Sequence, residues 1–248
     1  MKVLTIGNLK GGVGKTTSTV NLACTMAAFC KRVLVVDLDP QANLTPFFRK
    51  VNYGEHTIKS VYRSPEKSGR AIYRSKYKDI DIIKGDTSLR ENDAADEKAL
   101  LTVLQLVTDK YDVCLIDTRP AFENLTMSAL YVSNMLVTPV CLDKFCRDNL
   151  LAVEEQVDGI FQTTGIKLEW RIFANKVENK RTQRQIYKDM VEYHAWPFLD
   201  CCISNGAVMS NALDYYKPVI RHRSGSPLVQ DYIDLAKELL EVLEHGEN

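Results

Sequence analysis

The chain lacks the features that mark secreted and membrane-spanning proteins. No apolar run approaches the roughly 18–20 residues that a membrane-spanning helix needs. Met1 and Lys2 lead directly into a strand-like segment, so no signal peptide is expected. The seven cysteines are an odd number without C-x-x-C spacing, which argues against a disulfide framework or a zinc site. We therefore expect a protein of the reducing cytoplasm.

The chain also lacks a net charge, because 32 basic side chains balance 32 acidic ones. The charges are nevertheless segregated along the sequence. Residues 49–78 contain nine Lys and Arg against two acidic residues, and residues 171–223 contain nine against five. Residues 224–248 contain one lysine and six acidic residues. This segregation bears more on binding partners than the net charge does.

Strand-like and helix-like segments alternate along the 248 residues, without an internal repeat or a linker. This pattern predicts an α/β fold, in which a doubly wound, mostly parallel sheet is flanked by helices and ligands bind at the carboxyl ends of the strands. Residues 1–248 are expected to form a single domain, with residues 49–78 as an irregular connection that contains short helices. Strands are predicted near 3–7, 33–37, 80–84, 112–117, 134–140, 170–175 and 198–203, and helices near 15–29, 98–109, 124–132, 147–162, 181–194, 206–214 and 227–243.

The segment K-G-G-V-G-K-T-T at residues 10–17 follows the first predicted strand. It fits the P-loop pattern G-x-x-x-x-G-K-[ST] only with Asn8 in the place of the first glycine, and it adds a second lysine. Glycines allow backbone N–H groups to approach phosphate, and the following helix adds its positive end. The residues predicted to bind the nucleotide here are Gly11, Gly12, Val13, Gly14, Lys15, Thr16 and Thr17. Lys15 is assigned to the β- and γ-phosphates, Thr16 to Mg²⁺ and Thr17 to the α-phosphate side.

This loop resembles the deviant Walker A loop of the ParA/MinD family of ATPases. Residues 33–41 resemble the family's second strand and switch I, residues 111–118 its Walker B strand and switch II, and residues 216–220 the tail of ParA proteins. The chain thus resembles a ParA-type partition ATPase over nearly its whole length. The resemblance implies a P-loop NTPase fold of the SIMIBI type, ATP and Mg²⁺ as cofactors, and weak Mg²⁺-dependent ATP hydrolysis.

The resemblance also assigns roles to charged residues. Lys10 would cross a dimer interface to the phosphates of the other subunit, and would act in catalysis together with Lys15 and Asp39. Asp39 would position the attacking water, while Asp37 and Asp117 would serve Mg²⁺ with Thr16. The alternatives are a solvated loop lysine for Lys10 and the capping of a turn for the Asp37–Asp39 pair. Asp117 ends a run of buried-type residues, where a carboxylate is costly without a cation.

Two further residues follow predicted strands. Asn175 matches the asparagine that relatives use on the adenine edge, although an asparagine at a strand end also suits a turn. Arg119 stands where relatives have proline or another small residue. It could pair with a switch carboxylate, contact a partner subunit or have no role, and it leaves the timing of hydrolysis open.

Basic residues near the C-terminus suggest a DNA contact. Arg181, Arg184 and Lys188 share one helical face. A second cluster consists of Lys217, Arg221, His222 and Arg223. The resemblance implies that such residues hold DNA nonspecifically through its phosphates. A solvated surface is the alternative. Residues 49–78, which include Tyr53, Tyr62, Tyr73 and Tyr77, could contact nucleic acid or protein.

We therefore expect a cytoplasmic, nucleoid-associated partition ATPase that forms a homodimer on ATP binding and coats DNA. A ParB-like centromere-binding partner would trigger hydrolysis and release. The helix-turn-helix domain of longer relatives is expected to be absent, and the replicon or other cargo stays open. The alternative is a MinD-like membrane-cycling or protein-cluster-positioning ATPase. The acidic polar face of the last helix disfavours a membrane partner. The chain lacks the cysteine spacing expected of an iron–sulphur carrier and the tyrosine-rich tail expected of a tyrosine kinase, which disfavours both of these alternatives.

Overall fold

A computed structural model describes residues 1–50, 54–96 and 98–245, and its centre is one β-sheet. The strands found in these residues are β1 (Lys2–Ile6), β2 (Val33–Asp37), β3 (Ile72–Arg74), β4 (Ile80–Ile83), β5 (Val113–Asp117), β6 (Met135–Cys141), β7 (Glu169–Val177) and β8 (Phe198–Ser204). Their order across the sheet is β3-β4-β2-β5-β1-β6-β7-β8. Every neighbouring pair is parallel except β3 with β4. The prediction of a mostly parallel sheet is confirmed.

Helices connect the strands and cover both faces of the sheet. In the described residues they are α1 (Lys15–Ala28), α2 (Thr45–Phe48), α3 (Ile58–Arg63), α4 (Lys98–Leu106), α5 (Asn124–Tyr131), α6 (Cys146–Thr164), α7 (Arg181–His194), α8 (Ala207–Asp214), α9 (Val219–His222) and α10 (Pro227–His245). The seven predicted helices are all present, and α2, α3 and α9 are short additions. Among the described helices, none has the length and apolar character that crossing a membrane requires.

The side chains of each central strand alternate between two apolar layers, as expected for a sheet covered on both sides. Leu4 and Ile6 of β1 face the layer that α1 and α10 complete, whereas Val3 faces the opposite layer with α3 and α4. Helices α6 and α7 pack on that second face beside β6 and β7. The doubly wound arrangement is therefore confirmed.

The main difference from the predicted elements lies in the connection between β2 and β4. Helix α3 and a 3₁₀ segment at Pro65–Ala71 supply the expected short helices, but the edge strand β3 was not predicted. It has only three residues, none fully buried, so it shows neither an apolar run nor a clear alternation. Tyr53, which was singled out in this segment, lies outside the described residues.

Parallel pairing gives the sheet two chemically different edges. Ile6 and Asp37 both pair in register with Asp117, so the ends of β1, β2 and β5 meet at one edge, termed the carboxyl edge. The starts of β2, β4 and β5 meet at the opposite amino edge, where Val33 N donates to Asp79 O and Asp112 N donates to Arg32 O. All three predicted nucleotide motifs follow strands that end at the carboxyl edge.

Candidate functional site

The loop between β1 and α1 has the backbone shape of a phosphate cradle. Gly12 and Gly14 have φ of +76° and +97°, which favour glycine. A Cβ on Gly14 would lie 2.3 Å from the Asn175 Nδ2 atom, so the loop packs too closely there for any side chain. Helix α1 then begins at Lys15 with no side-chain cap and no acidic residue in its first turn. Its first N–H groups are therefore suited to receive an anion.

Asn8 occupies the place of the usual first glycine and holds the start of the loop through its side chain. Its side chain is fully buried: Nδ2 donates to Pro139 O at 2.8 Å, and Oδ1 accepts from Lys10 N at 2.8 Å. One side chain thus ties the start of the loop to β6 and shapes the turn at Lys10. The preference of asparagine for such local backbone bonds was the signal in the sequence that could have indicated this role.

The two lysines of the loop point to different places. Lys15 is buried, and its Nζ donates to Asn8 O and Lys10 O, each at 3.0 Å, inside the cradle. Burial lowers the pKa of Lys15, and the charges of Asp117 and Asp39 oppose that shift. Lys10 Nζ instead pairs with Asp143 Oδ2 at 2.5 Å, after β6, where both side chains are partly exposed. The sequence did not indicate Asp143.

Asp117 joins the end of β5 to the first turns of α1. Its Oδ2 accepts from Thr16 Oγ1 at 2.7 Å, and its Oδ1 accepts a longer bond of 3.3 Å from Thr19 Oγ1. The carboxyl group is fully buried, and that burial raises its pKa well above the ordinary value. Negative charge on Asp37 raises it further. The structure therefore places Thr16 and Asp37 beside Asp117, and their joint binding of Mg²⁺ stays a prediction.

Asp37 is the second fully buried carboxyl group of this cluster. Its Oδ2 accepts from Thr45 N at 2.9 Å and from Thr45 Oγ1 at 2.6 Å. Within the described residues its Oδ1 has no hydrogen bond of normal geometry, although the Asp39 N–H lies close enough to lower the pKa slightly. Burial dominates and raises the pKa of Asp37 to about 6.

Asp39 lies nearer the surface than the other two carboxylates. Its Oδ1 accepts from Gln41 N at 2.9 Å, and its backbone oxygen accepts from Ala42 N at 2.8 Å. This is the turn geometry considered as the alternative from the sequence, and it leaves Oδ2 available. Asp39 also contributes negative charge at Lys15. Asp39 lies at the mouth of the cradle, where it could position the attacking water, and this role stays a prediction.

The donor set fits a magnesium ion bound together with a nucleotide. Asp39 and Asp117 lie near Lys15, and Asp37 lies near both of these carboxyl groups. Asp37 and Asp117 are fully buried with raised pKa values, and among the described residues Asp37 Oδ1 is a buried oxygen without a hydrogen-bond partner. In the part of the chain that the structure describes, no three His, Cys, Asp or Glu side chains form a metal cage of their own. Mg²⁺ characteristically completes its octahedron with water and phosphate oxygens. Thr16, Asp37 and Asp117 are the residues that would hold it.

Asn175 braces the phosphate loop from β7. Its Nδ2 donates to Val13 O at 2.7 Å, and its Oδ1 accepts from Lys176 N at 2.9 Å. Lys176, which sequence reasoning missed, adds a bond from its Nζ to Gly12 O at 2.8 Å. The amide of Asn175 is thus engaged with the loop backbone in this conformation, and its contact with adenine stays a prediction.

Arg119 ties switch II to the 3₁₀ segment Glu91–Ala94. Its guanidinium pairs with Glu91 Oε1 at 2.5 Å and with Glu123 Oε2 at 3.6 Å. The other oxygen of Glu91 accepts from Leu125 N at 2.9 Å in the first turn of α5. Of the roles left open for Arg119, the structure shows a pairing with carboxylates beside the switch. A cleft of about 390 Å³ between Arg119 and Asp39 separates the two switches.

The two predicted basic clusters do not form one surface. Helix α7, which carries Arg181, Arg184 and Lys188, packs on the face of the sheet that α6 covers. The cluster of Lys217, Arg221 and Arg223 belongs to α9 and its flanks, and Val219 of α9 packs on the opposite face with α1. All six side chains belong to exposed residues. Their assignment to DNA stays a prediction.

Comparison with known proteins agrees with this site. A family described as an AAA domain matches residues 1–170, which include the phosphate loop and all three carboxylates. The virulence plasmid ParA family protein pGP5-D of Chlamydia psittaci is 30% identical over 96% of this chain and 94% of its own length. The sporulation initiation inhibitor protein Soj of Bacillus subtilis is 27% identical over 96% of this chain and 98% of its own.

Solved structures show the same fold at low sequence identity. A Cyanothece McdA variant in complex with ATP superposes with a TM-score of 0.86 at 20% identity, covering 97% of this chain and 96% of that one. The septum site-determining protein MinD of Pyrococcus horikoshii, complexed with Mg-ADP, gives 0.80 at 24% identity, covering 96% and 95%. The fold, the phosphate loop and the relatives agree: the chain belongs to the ParA family of P-loop ATPases, which hydrolyse ATP with Mg²⁺.

Proposed function

We propose that this ATPase partitions DNA, through an ATP-driven homodimer that binds DNA nonspecifically in the cytoplasm and at the nucleoid. A ParB-like centromere-binding protein would stimulate hydrolysis and release the dimer. Support comes from the relatives, one described as a plasmid ParA family protein and another, from Caulobacter vibrioides, as a chromosome partitioning protein.

The separation of the two loop lysines is the observation that carries the proposal. Lys15 is buried inside its own cradle, whereas Lys10 is held outside it by Asp143. A lysine that pairs away from its own phosphate site is available to phosphates presented by a second subunit. The ion pair is partly exposed, so exchanging Asp143 for a phosphate costs little. Nucleotide binding and dimer formation would then be one event.

Each group of the cradle has a distinct task in hydrolysis. The α1 N–H groups and Lys15 would hold the phosphates, while Asp39 would orient a water molecule in line with the terminal phosphoryl group. Bound Mg²⁺ would supply charge neutralisation between the phosphates and the buried carboxylates. Positioning dominates this chemistry, because phosphoryl transfer needs little covalent assistance from the protein.

The test is binding to a labelled nonspecific duplex with ATP, with ADP and without nucleotide, at two salt concentrations. Binding is expected with ATP, and it should weaken as salt rises. Asp39→Ala should bind more persistently because hydrolysis no longer releases the dimer. Lys10→Ala should lose ATP-dependent binding and the dimer that light scattering detects in the wild type.

Lys144→Ala is the matched control for Lys10→Ala. Lys144 is also a lysine beside the Phe145 ring, 4.7 Å from the ring centroid against 5.5 Å for Lys10, but it lies outside the phosphate loop. It should behave as the wild type. An ATP-locked dimer without DNA affinity at low salt would contradict the proposal, as would a Lys10→Ala protein that still dimerises and binds DNA.

The second candidate, a membrane-cycling or protein-cluster-positioning ATPase, has weaker support. Helix α10 carries an apolar stripe, but Leu228, Leu235, Leu239 and Leu243 are buried against the sheet and α1. A lipid-binding tail would need those side chains free, and the acidic side chains of the same helix would be repelled by anionic lipid.

A further inference from the structure

A broad basic cleft lies at the amino edge of the sheet, away from the nucleotide site. It has a volume of about 520 Å³ and is lined by residues that flank β2, β3, β4 and β5. A smaller cleft of about 220 Å³ shares Tyr77, Lys78, Asp79 and Ile80 with it and extends to Arg221 beside α1. Together the two clefts form a continuous path from the start of β5 to α9.

The path brings together cations from three separate parts of the sequence. These cations form what we call the amino-edge basic band, which consists of Arg74, Lys76, Lys78, Lys110, Lys217 and Arg221. Lys76 connects its two halves, because its Nζ donates to Tyr216 O at 3.3 Å and its charge interacts with that of Lys217. The predicted C-terminal cluster therefore continues into the basic segment 49–78, whose role the sequence left open.

Few acidic groups neutralise this band. Among the described residues, Lys78 is the one member with an ion pair, at 3.8 Å from Asp79. Asp81 accepts a hydrogen bond from Tyr111 at 2.7 Å, and Asp112 is paired with Arg32 at 2.8 Å. All six members of the band belong to exposed residues. A row of exposed cations, most of them without an ion pair in the described residues, favours an extended polyanion rather than a single small anion.

We propose that the amino-edge basic band, rather than the α7 cluster, is the site that holds the DNA backbone. Lysines, which make up four of its six members, act as point charges that suit phosphates without reading bases. The amino edge lies one strand length, roughly 15 Å, from the phosphate loop. DNA there would leave the nucleotide and the face bearing Lys10 unobstructed. This inference rests on the proposed DNA-binding function and assigns its location.

The experiment compares two triple variants of equal charge change. Arg74→Gln, Lys76→Gln and Lys78→Gln together neutralise the centre of the band. Arg181→Gln, Arg184→Gln and Lys188→Gln form the matched control on α7. With ATP, fluorescence anisotropy on a nonspecific duplex should show at least about tenfold weaker binding for the first triple, and a slope of log K against log salt reduced by about 3. The control triple should retain both within about twofold.

Three outcomes would overturn the inference while leaving the proposed function intact. In the first, the Arg74, Lys76 and Lys78 variant keeps the DNA affinity and the salt slope of the wild type. In the second, both triple variants lose DNA affinity equally. In the third, the wild type binds labelled polyglutamate as tightly as DNA. Absence of DNA binding in the wild type would instead defeat the proposed function itself. Thermal unfolding of each variant establishes that it is folded.

A second measurement needs no variant. Lysine acetylation of the ATP-bound wild type, read by mass spectrometry, should show Lys76, Lys78 and Lys110 protected by DNA. Lys98 on α4 is exposed outside the band and should react equally with and without DNA. Unchanged acetylation of all three band lysines at saturating DNA would refute the site.

Discussion

Substitution of Asp37 by asparagine should stabilise the nucleotide-free protein at neutral pH. The wild-type carboxylate is fully buried, and burial raises its pKa to about 6 from an ordinary value of 3.8. A shift of about 2 units corresponds to about 3 kcal/mol of penalty for the charged form. Asparagine keeps an oxygen for both Thr45 donors but carries no charge, so most of this penalty should disappear.

The pH dependence gives the sign of the effect. Because the folded pKa lies above the unfolded one, the folded state binds more protons between pH 4 and 6, and wild-type stability rises as pH falls through that window. A pKa of about 6 predicts that Asp37 regains about 1 kcal/mol by pH 5 and about 2 kcal/mol by pH 4. Asp37→Asn should be the more stable protein above pH 7, and its advantage should vanish towards pH 4.

Urea unfolding without nucleotide, at several pH values between 4 and 8, measures this difference. Asp158→Asn, an exposed carboxylate on α6, is the control and should follow the wild type within about 0.5 kcal/mol. Mg²⁺ with ATP should stabilise the wild type more than Asp37→Asn, because the variant offers the cation less charge. A difference between variant and wild type that does not change with pH would refute the buried-charge reasoning.

Three further predictions concern the phosphate loop and switch II. Gly14→Ala should abolish nucleotide binding in a titration with fluorescent ATP, because Gly14 has a φ of +97° and an added Cβ would lie 2.3 Å from Asn175 Nδ2. In the control Gly11→Ala the added Cβ meets no atom within 4 Å, so this variant should bind the nucleotide normally. Asn8→Gly should lower the free energy of unfolding by about 2 kcal/mol through two lost hydrogen bonds, and an unchanged urea midpoint would contradict this bracing role. Arg119→Ala should cost less than about 1 kcal/mol of stability, since its ion pair with Glu91 is partly exposed, but should speed hydrogen exchange in switch II; equal exchange in both proteins would argue against the tether.

Much of the fold follows from local patterns in the sequence. Runs such as Val113–Ile116 indicate strands buried on both faces, and their alternation with helices predicts the doubly wound sheet. The phosphate loop could be recognised because its glycines and Lys15 act within a few residues of one another. The edge strand β3 escaped prediction, since its pairing with β4, not its own three residues, makes it a strand.

The sequence predicts those residues of the site that can be recognised from their neighbours in the chain. Asp37, Asp39 and Asp117 were identified from strand ends, and the structure places Asp39 and Asp117 near Lys15 and Asp37 near Asp117. The engagement of Asn175 with Val13 was not visible, because the two are far apart in sequence and meet only when β7 docks beside β6.

The sequence by itself therefore determined the type of fold, the phosphate loop and the acidic residues at the carboxyl edge. These depend on periodicity and on spacing within single segments. Only the tertiary structure decided that Lys10 pairs with Asp143, and that Lys76 lies near enough to Lys217 for their charges to interact while α7 lies on the other face. Such contacts join distant segments, and the packing of helices on the two faces of the sheet selects which of them form.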